Sequence, residues 1–267
     1  GMDAYLQNPW HSDNAAILQQ WLTPVFASSQ LRAWLIGDGS FSNIPLTPGA
    51  MAWQPVFKVE PMSQYQEMGL FIAPIESNDL GILKLVNQLE LFSGLPMFSI
   101  IVSDRTETQI SQMLTWVADA RSDDGLDLYI RIGDTRCLPH ILQSLSPVQK
   151  DYISYIVDQW YWPGRDGLWN QGFNMHAART GLTAELIPQQ HNLIKAKQFD
   201  ALMNSGETDL IYSLIDSMDQ DIYPTDFTQH KKFLILSRFI HEAKQNGEKD
   251  ITAIRDQVLD RLIQIGR

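Results

Sequence analysis

Apolar positions recur along the chain with a small set of spacings, and each spacing implies an element. Leu18, Trp21, Leu22 and Val25 fall at i, i+3, i+4 and i+7. This predicts a helix from about Asp13, with Ser12 or Asp13 as N-cap and Pro24 kinking or ending it. Leu31–Ile36 (LRAWLI) is a short apolar run that closes on Gly37-Asp38-Gly39, a strand followed by a turn. Residues 37–55, rich in Gly, Ser, Pro and Asn, read as loop. Strands are then expected at Val56–Val59, Leu70–Pro74, Met97–Val102 and Leu126–Ile132. Helices are expected at Asn78–Phe92 and Thr106–Ala120, and two short ones near 137–145 and 147–158, the second opening on Ser146-Pro147. Trp160-Tyr161-Trp162 and Leu168-Trp169 flank a turn-forming Pro163-Gly164-Arg165-Asp166-Gly167, which predicts an aromatic hairpin.

Beyond about residue 180 no strand pattern remains, and helices are expected near 183–204, 206–220, 226–246 and 250–265. The fold class that follows is α/β (or α+β). A mixed sheet flanked by helices forms an N-terminal lobe over residues 2–175, and an all-helical C-terminal lobe covers 176–267.

Composition narrows the function classes. The 267 residues are 44% hydrophobic and 19% charged, enough for a buried core and incompatible with bulk disorder. With 20 basic and 31 acidic groups the net charge is −11 and the pI about 4.9. Nucleic acid and anionic membranes repel such a chain, so neither is expected as a partner. The charge is uneven: residues 1–134 carry 6 basic and 15 acidic groups, residues 135–267 carry 14 and 16. A single cysteine, Cys137, forbids an internal disulfide and fits a reducing cytoplasm. Residues 1–12 lack the charged and apolar regions of a signal peptide, and Gly1 ahead of Met2 reads as an expression remnant.

The chain carries no HExxH, P-loop, GxSxG, GxGxxG or CxxC motif. Ser40, after Gly37-Asp38-Gly39, could serve a small hydrolase as nucleophile with Asp38 and a distant histidine. The competing reading is a turn whose Asp and Ser bond their own backbone. Cys137 and His140 could pair on one helical face, or be a packed thiol beside a surface imidazole. None of the six histidines has another three or four residues away, and Asp123, Asp124 and Asp127 lack an EF-hand spacing. No metal, cofactor or small-molecule substrate is expected.

Two surfaces are candidates for a protein partner. Trp160, Trp162 and Trp169 on the hairpin are either core or a carbohydrate- or peptide-binding platform. From Phe199 to His230 there are 7 acidic residues and no Lys or Arg. Asp209, Asp216 and Asp219 lie opposite an apolar stripe of Leu210, Ile211, Leu214, Ile215 and Met218, a solvated face or one that docks a basic partner.

From Leu31 to Gln171 the order of motifs resembles a bacterial family catalogued as a domain of unknown function, the type VI secretion effector adaptors or chaperones (Tap/Tec). LRAWLIGDG is followed by WQPVFKVEPMSQYQEMGLFIAPIE, by LPMFSIIVS, and by DGLDLYIRIGDTRCLPHILQSLSPVQKDYISYIVDQWYWP. In the family the last piece typically carries an Arg-Phe-Tyr-Asp-Pro-Arg strand end and a Thr-Pro-Glu-Gln helix start. Arg131, Asp134, Arg136 and Leu138 match the former, and Ser146-Pro147-Val148-Gln149 the latter. Ile132-Gly133 and Thr135 depart from it. The stretch Gln189–Asp226 resembles the region that follows this domain in many members. The resemblance implies an interaction protein that is not an enzyme and binds a cognate toxic effector in the cytoplasm. Its second partner would be the type VI spike protein. Of the matched residues Arg131, Asp134 and Arg136, Arg131 and Asp134 stand at i and i+3 across a strand end, where a local ion pair would hold the strand to the following helix; the competing reading is direct partner contact.

Overall fold

The computed structural model describes residues 5–44, 51–175, 181–218 and 222–266. Its centre is a six-stranded sheet built from β1 (Arg32–Asp38), β2 (Gln54–Pro55), β3 (Leu70–Pro74), β4 (Phe98–Ser103), β7 (Gln159–Pro163) and β8 (Trp169–Asn174). The order is β2-β3-β1-β4-β7-β8, and every neighbouring pair is antiparallel. A smaller sheet joins β5 (Asp119–Ser122) antiparallel to β6 (Asp127–Tyr129) and parallel to β9 (Asn192–Ile194). Mixed pairing therefore resides in the small sheet.

Helices cover both faces of the large sheet. On one side α3 (Glu107–Ala118) and α5 (Pro147–Ile156) pack over Trp34, Ile36, Ile72, Ile101 and Trp160. On the other, α1 (Asn14–Ala27) and α2 (Asp79–Leu91) pack over Leu35, Phe71, Ile100 and Tyr161. Alternate residues of one strand thus enter different cores, and with both faces dry the strands read as continuous apolar runs. A third cluster joins α7 (Glu207–Asp216), α8 (Gln229–Gln245) and α9 (Ile251–Ile265) around Ile211, Leu236, Phe239 and Val258, with Leu6 inserted from the N-terminal segment. The short α4 (Leu138–Gln143) and α6 (Ala196–Ser205) connect these layers.

Several expectations change. Val56–Val59 is not a strand: pairing stops at Pro55, and Val56 and Phe57 turn into the core. Pro24 does not end α1, which continues to Ala27 because Val25 is anchored in the core. The 183–204 region is a 3-10 turn at Ala184–Leu186, then β9, then α6. The strand at Leu126–Ile132 shortens to three residues.

Candidate functional site

The connection from β6 to α4 is organised around Asp134, which has no exposed surface. Its Oδ1 accepts from the Arg136 backbone N–H (3.0 Å) and Nε (3.1 Å), and its Oδ2 from Arg136 Nη2 (2.8 Å). Arg131 Nη2 stands 3.4 Å from the same Oδ2. A buried carboxylate needs such donors, and the two-pronged guanidinium supplies them with fixed geometry. Burial opposes the Arg136 charge. The Asp134 hydrogen bonds outweigh it, so the guanidinium holds its proton more firmly than usual. The network extends outward. Arg136 Nη1 lies 3.8 Å from Asp209 Oδ1 on α7. Asp209 in turn takes both prongs of Arg165 from the β7–β8 turn, at 2.9 and 2.7 Å. Arg165 also donates to the Leu6 carbonyl (3.1 Å) and stacks over Phe233 of α8 at 3.8 Å.

Asp38, buried at the end of β1, accepts from Ser40 N–H (3.0 Å) and Oγ–H (2.6 Å). Burial pushes its carboxyl above the ordinary range. The Ser40 hydrogen bonds and Arg131 pull it back, and Asp134 adds to the rise. Gly133 is required here: a Cβ would stand 2.4 Å from Leu70 Cδ2 and 3.0 Å from Asp38 Cβ. Ser40 is exposed, but its hydroxyl proton is committed to Asp38, and among the described residues no histidine is hydrogen-bonded to it. The geometry is that of a side-chain-closed turn. Cys137 opens α4 and its thiol is pushed up to about 12, by burial first and by the Asp134 charge next. His140 is shifted down by burial and by Arg165. A thiolate–imidazole couple would need the opposite shift at Cys137.

The hairpin residues proposed to meet a partner require correction. Trp160, Trp162 and Trp169 are buried, as is Tyr161. Because β7 is an interior strand covered on both faces, its rings are packed into the two cores. Trp160 Nε1 donates to Ser99 Oγ at 3.0 Å, and Trp162 lies over Gly172, where a Cβ would meet its ring at 2.1 Å. A carbohydrate or peptide platform on these rings is ruled out. Asp209 is also not a free acidic face, being held between Arg165 and Arg136. Asp216 is exposed at the end of α7, and Asp219 lies outside the described residues.

An accessible apolar surface lies elsewhere. Three confluent depressions of about 840, 560 and 600 Å3 surround the strap formed by residues 188–191. The first runs between the start of α5 and the β9–α6 segment. The second lies between α3 and residues 56–62, and the third between the 3-10 turn at Met62–Tyr65 and β5–β6. Val59, Met68 and Val148 on their walls are 71, 68 and 58% exposed. The strap is firmly seated. Trp116 Nε1 donates to the Gln190 carbonyl (2.8 Å), Asn192 Nδ2 to the Val117 carbonyl (3.0 Å), and Gln149 Nε2 to Asn192 Oδ1 (2.7 Å).

Residues 44–152 match the family model described as a domain of unknown function (DUF4123). No curated protein and no solved structure matches the chain. The matched stretch contains Arg131, Asp134 and Arg136 and supplies α3, β5, β6 and the α5 start to the depressions. The strap and α6, which close the first depression, lie outside it. Sequence reasoning missed this surface because its walls come from positions as distant as Trp116, Val148 and Leu193. The one local trace was Val148 after Pro147, an apolar residue in a polar first turn.

Proposed function

We propose that the chain is a cytoplasmic adaptor or chaperone, not an enzyme. It binds a cognate toxic effector and helps load it onto the spike tip of a type VI secretion system. One observation carries the reading: the domain matched over residues 44–152, together with the strap and α6 that follow it, presents contiguous, exposed apolar depressions, the kind of surface a chain keeps for a protein partner. The ordered resemblance of LRAWLIGDG through DQWYWP to the adaptor family supports the type of partner. Among the described residues no group of three or more His, Cys, Asp or Glu is placed to hold a metal. Among the described residues no helix is long and apolar enough to cross a membrane.

The test is co-expression of the tagged chain with candidate toxin and spike proteins from the same genome, followed by affinity capture and size-exclusion chromatography. A stable complex containing the toxin is expected. Folded chain that elutes alone, with toxin and spike both well expressed, would refute the adaptor reading.

A further inference from the structure

Resting on that adaptor reading, we infer that the groove between the start of α5 and the β9–α6 segment receives an amphipathic, net-acidic segment of the effector. The argument is charge complementarity on a preformed apolar floor. The whole chain carries a net charge of −11. Yet the residues lining this groove include Lys195, Lys197 and His191 and no Asp or Glu. Both lysines are exposed, and among the described residues neither has an ion-pair partner. The first turns of two helices border the same space: Pro147 and Val148 begin α5, closed by the Ser146–Gln149 capping box, and Ala196 begins α6, its N–H donating to Asp123 Oδ2 at 3.3 Å. A basic recess in an acidic molecule attracts the carboxylates of a partner.

The apolar half of the occupant follows from the walls. Val148 and Leu193 are 58 and 47% exposed and flank the groove. A volume of about 840 Å3 accommodates a few large side chains from one face of a helix or strand. The floor does not have to be remade on binding. Gln149 bridges Asn192 and the Leu193 carbonyl, and Gln198 Nε2 donates to Gln149 Oε1 at 2.8 Å. A rigid floor lowers the ordering cost of association.

The test uses the full chain co-expressed with its effector, with a photo-crosslinking residue at Val148 or, as control, at Leu83 on the far side of the sheet. Crosslinking from position 148 is expected, mapping to an effector stretch with apolar residues at helical or strand spacing and an excess of Asp and Glu. Lys195→Glu with Lys197→Glu is expected to lower retained effector at least about tenfold near 0.15 M salt. The Lys195→Gln, Lys197→Gln pair should cause a smaller loss. Both lysines lie in solvent, so unchanged circular dichroism is expected and is checked for each variant. If the complex forms while position 148 stays silent, crosslinks to a basic stretch or to a second copy, or the double reversal retains effector normally, this inference fails and the adaptor reading stands. If no complex forms, both fail.

Discussion

Asp134 has no exposed surface, and its burial is sustained only while both oxygens keep their donors. Asp134→Ala leaves the largely buried Arg136 with only the more distant Asp209 and is expected to cost about 3–5 kcal/mol by urea denaturation. Arg136→Lys should also destabilise, because an ammonium cannot reproduce the two-pronged contact. Cys137 gives an independent reading of the same junction. With its thiol pushed up to about 12, thiolate is scarce at neutral pH. Iodoacetamide at pH 8 should alkylate the native chain at least about a hundredfold more slowly than the urea-unfolded chain, whose thiol has an ordinary pKa. Equal rates would contradict the raised pKa of the half-buried Cys137. Asp38 carries the opposite lesson about charge. Its folded pKa lies above the unfolded value, so the folded state binds the proton more tightly. Its contribution is fully present below about 3.8 and lost as pH rises through the folded value. At neutral pH the ionised carboxylate therefore costs stability. Asp38→Asn is expected to raise the melting temperature more at pH 7 than at pH 4.

Elements with local signals were legible. Thr106 and Gln109 form a capping box at the start of α3, and Ser146 and Gln149 form one at α5, with Pro147 in the first turn. The hairpin at Pro163-Gly164-Arg165-Asp166-Gly167 and the helices α7, α8 and α9 also follow from turn residues and period. What failed depended on tertiary partners. β9 is three residues long, and it pairs because Asn192 is pinned to Val117 and Gln149, not because of any alternation in its own sequence. The segment at β5, Asp119-Ala120-Arg121-Ser122, has the composition of a helix end and becomes a strand only beside β6 and β9. The candidate site was opaque for the same reason. The aromatic hairpin had the right signal for a ring-rich feature, but burial depends on β7 being interior, and strand order is not written in a local pattern. Gly172 tests this packing. Gly172→Ala drives a methyl into the Trp162 ring and is expected to cost about 1–3 kcal/mol, seen as a lowered denaturation midpoint.

At the scale of the whole molecule, the sheet and the helices after residue 206 are tied together at one charged clasp. Arg165 reaches from the hairpin turn to Asp209 on α7, the Leu6 carbonyl and the Phe233 ring on α8, while Arg136 approaches the same carboxylate from the α4 side. Two cations converging on one carboxylate make Asp209 the shared element: its removal leaves Arg165 without its carboxylate partner, close to an Arg136 that keeps Asp134. Asp209→Ala is therefore expected to cost about 1.5–3 kcal/mol, the range for hydrogen bonds to charged groups. The loss should also be local. Asp209 sits beside the cluster around Ile211, Leu236 and Val258, which starts two residues beyond it, whereas the cores on either side of β1 and β4 are built from other segments. Amide hydrogen exchange should quicken in α7, α8 and α9 and remain unchanged in β1 and β4. Uniform acceleration would mean that the helices and the sheet unfold as one unit and that the clasp is not a boundary. The groove at α5 and α6 lies on the sheet side of the clasp, so this variant should keep the Val148 surface intact. It would then separate effector capture, which should persist, from whatever the helices after residue 206 contribute to loading.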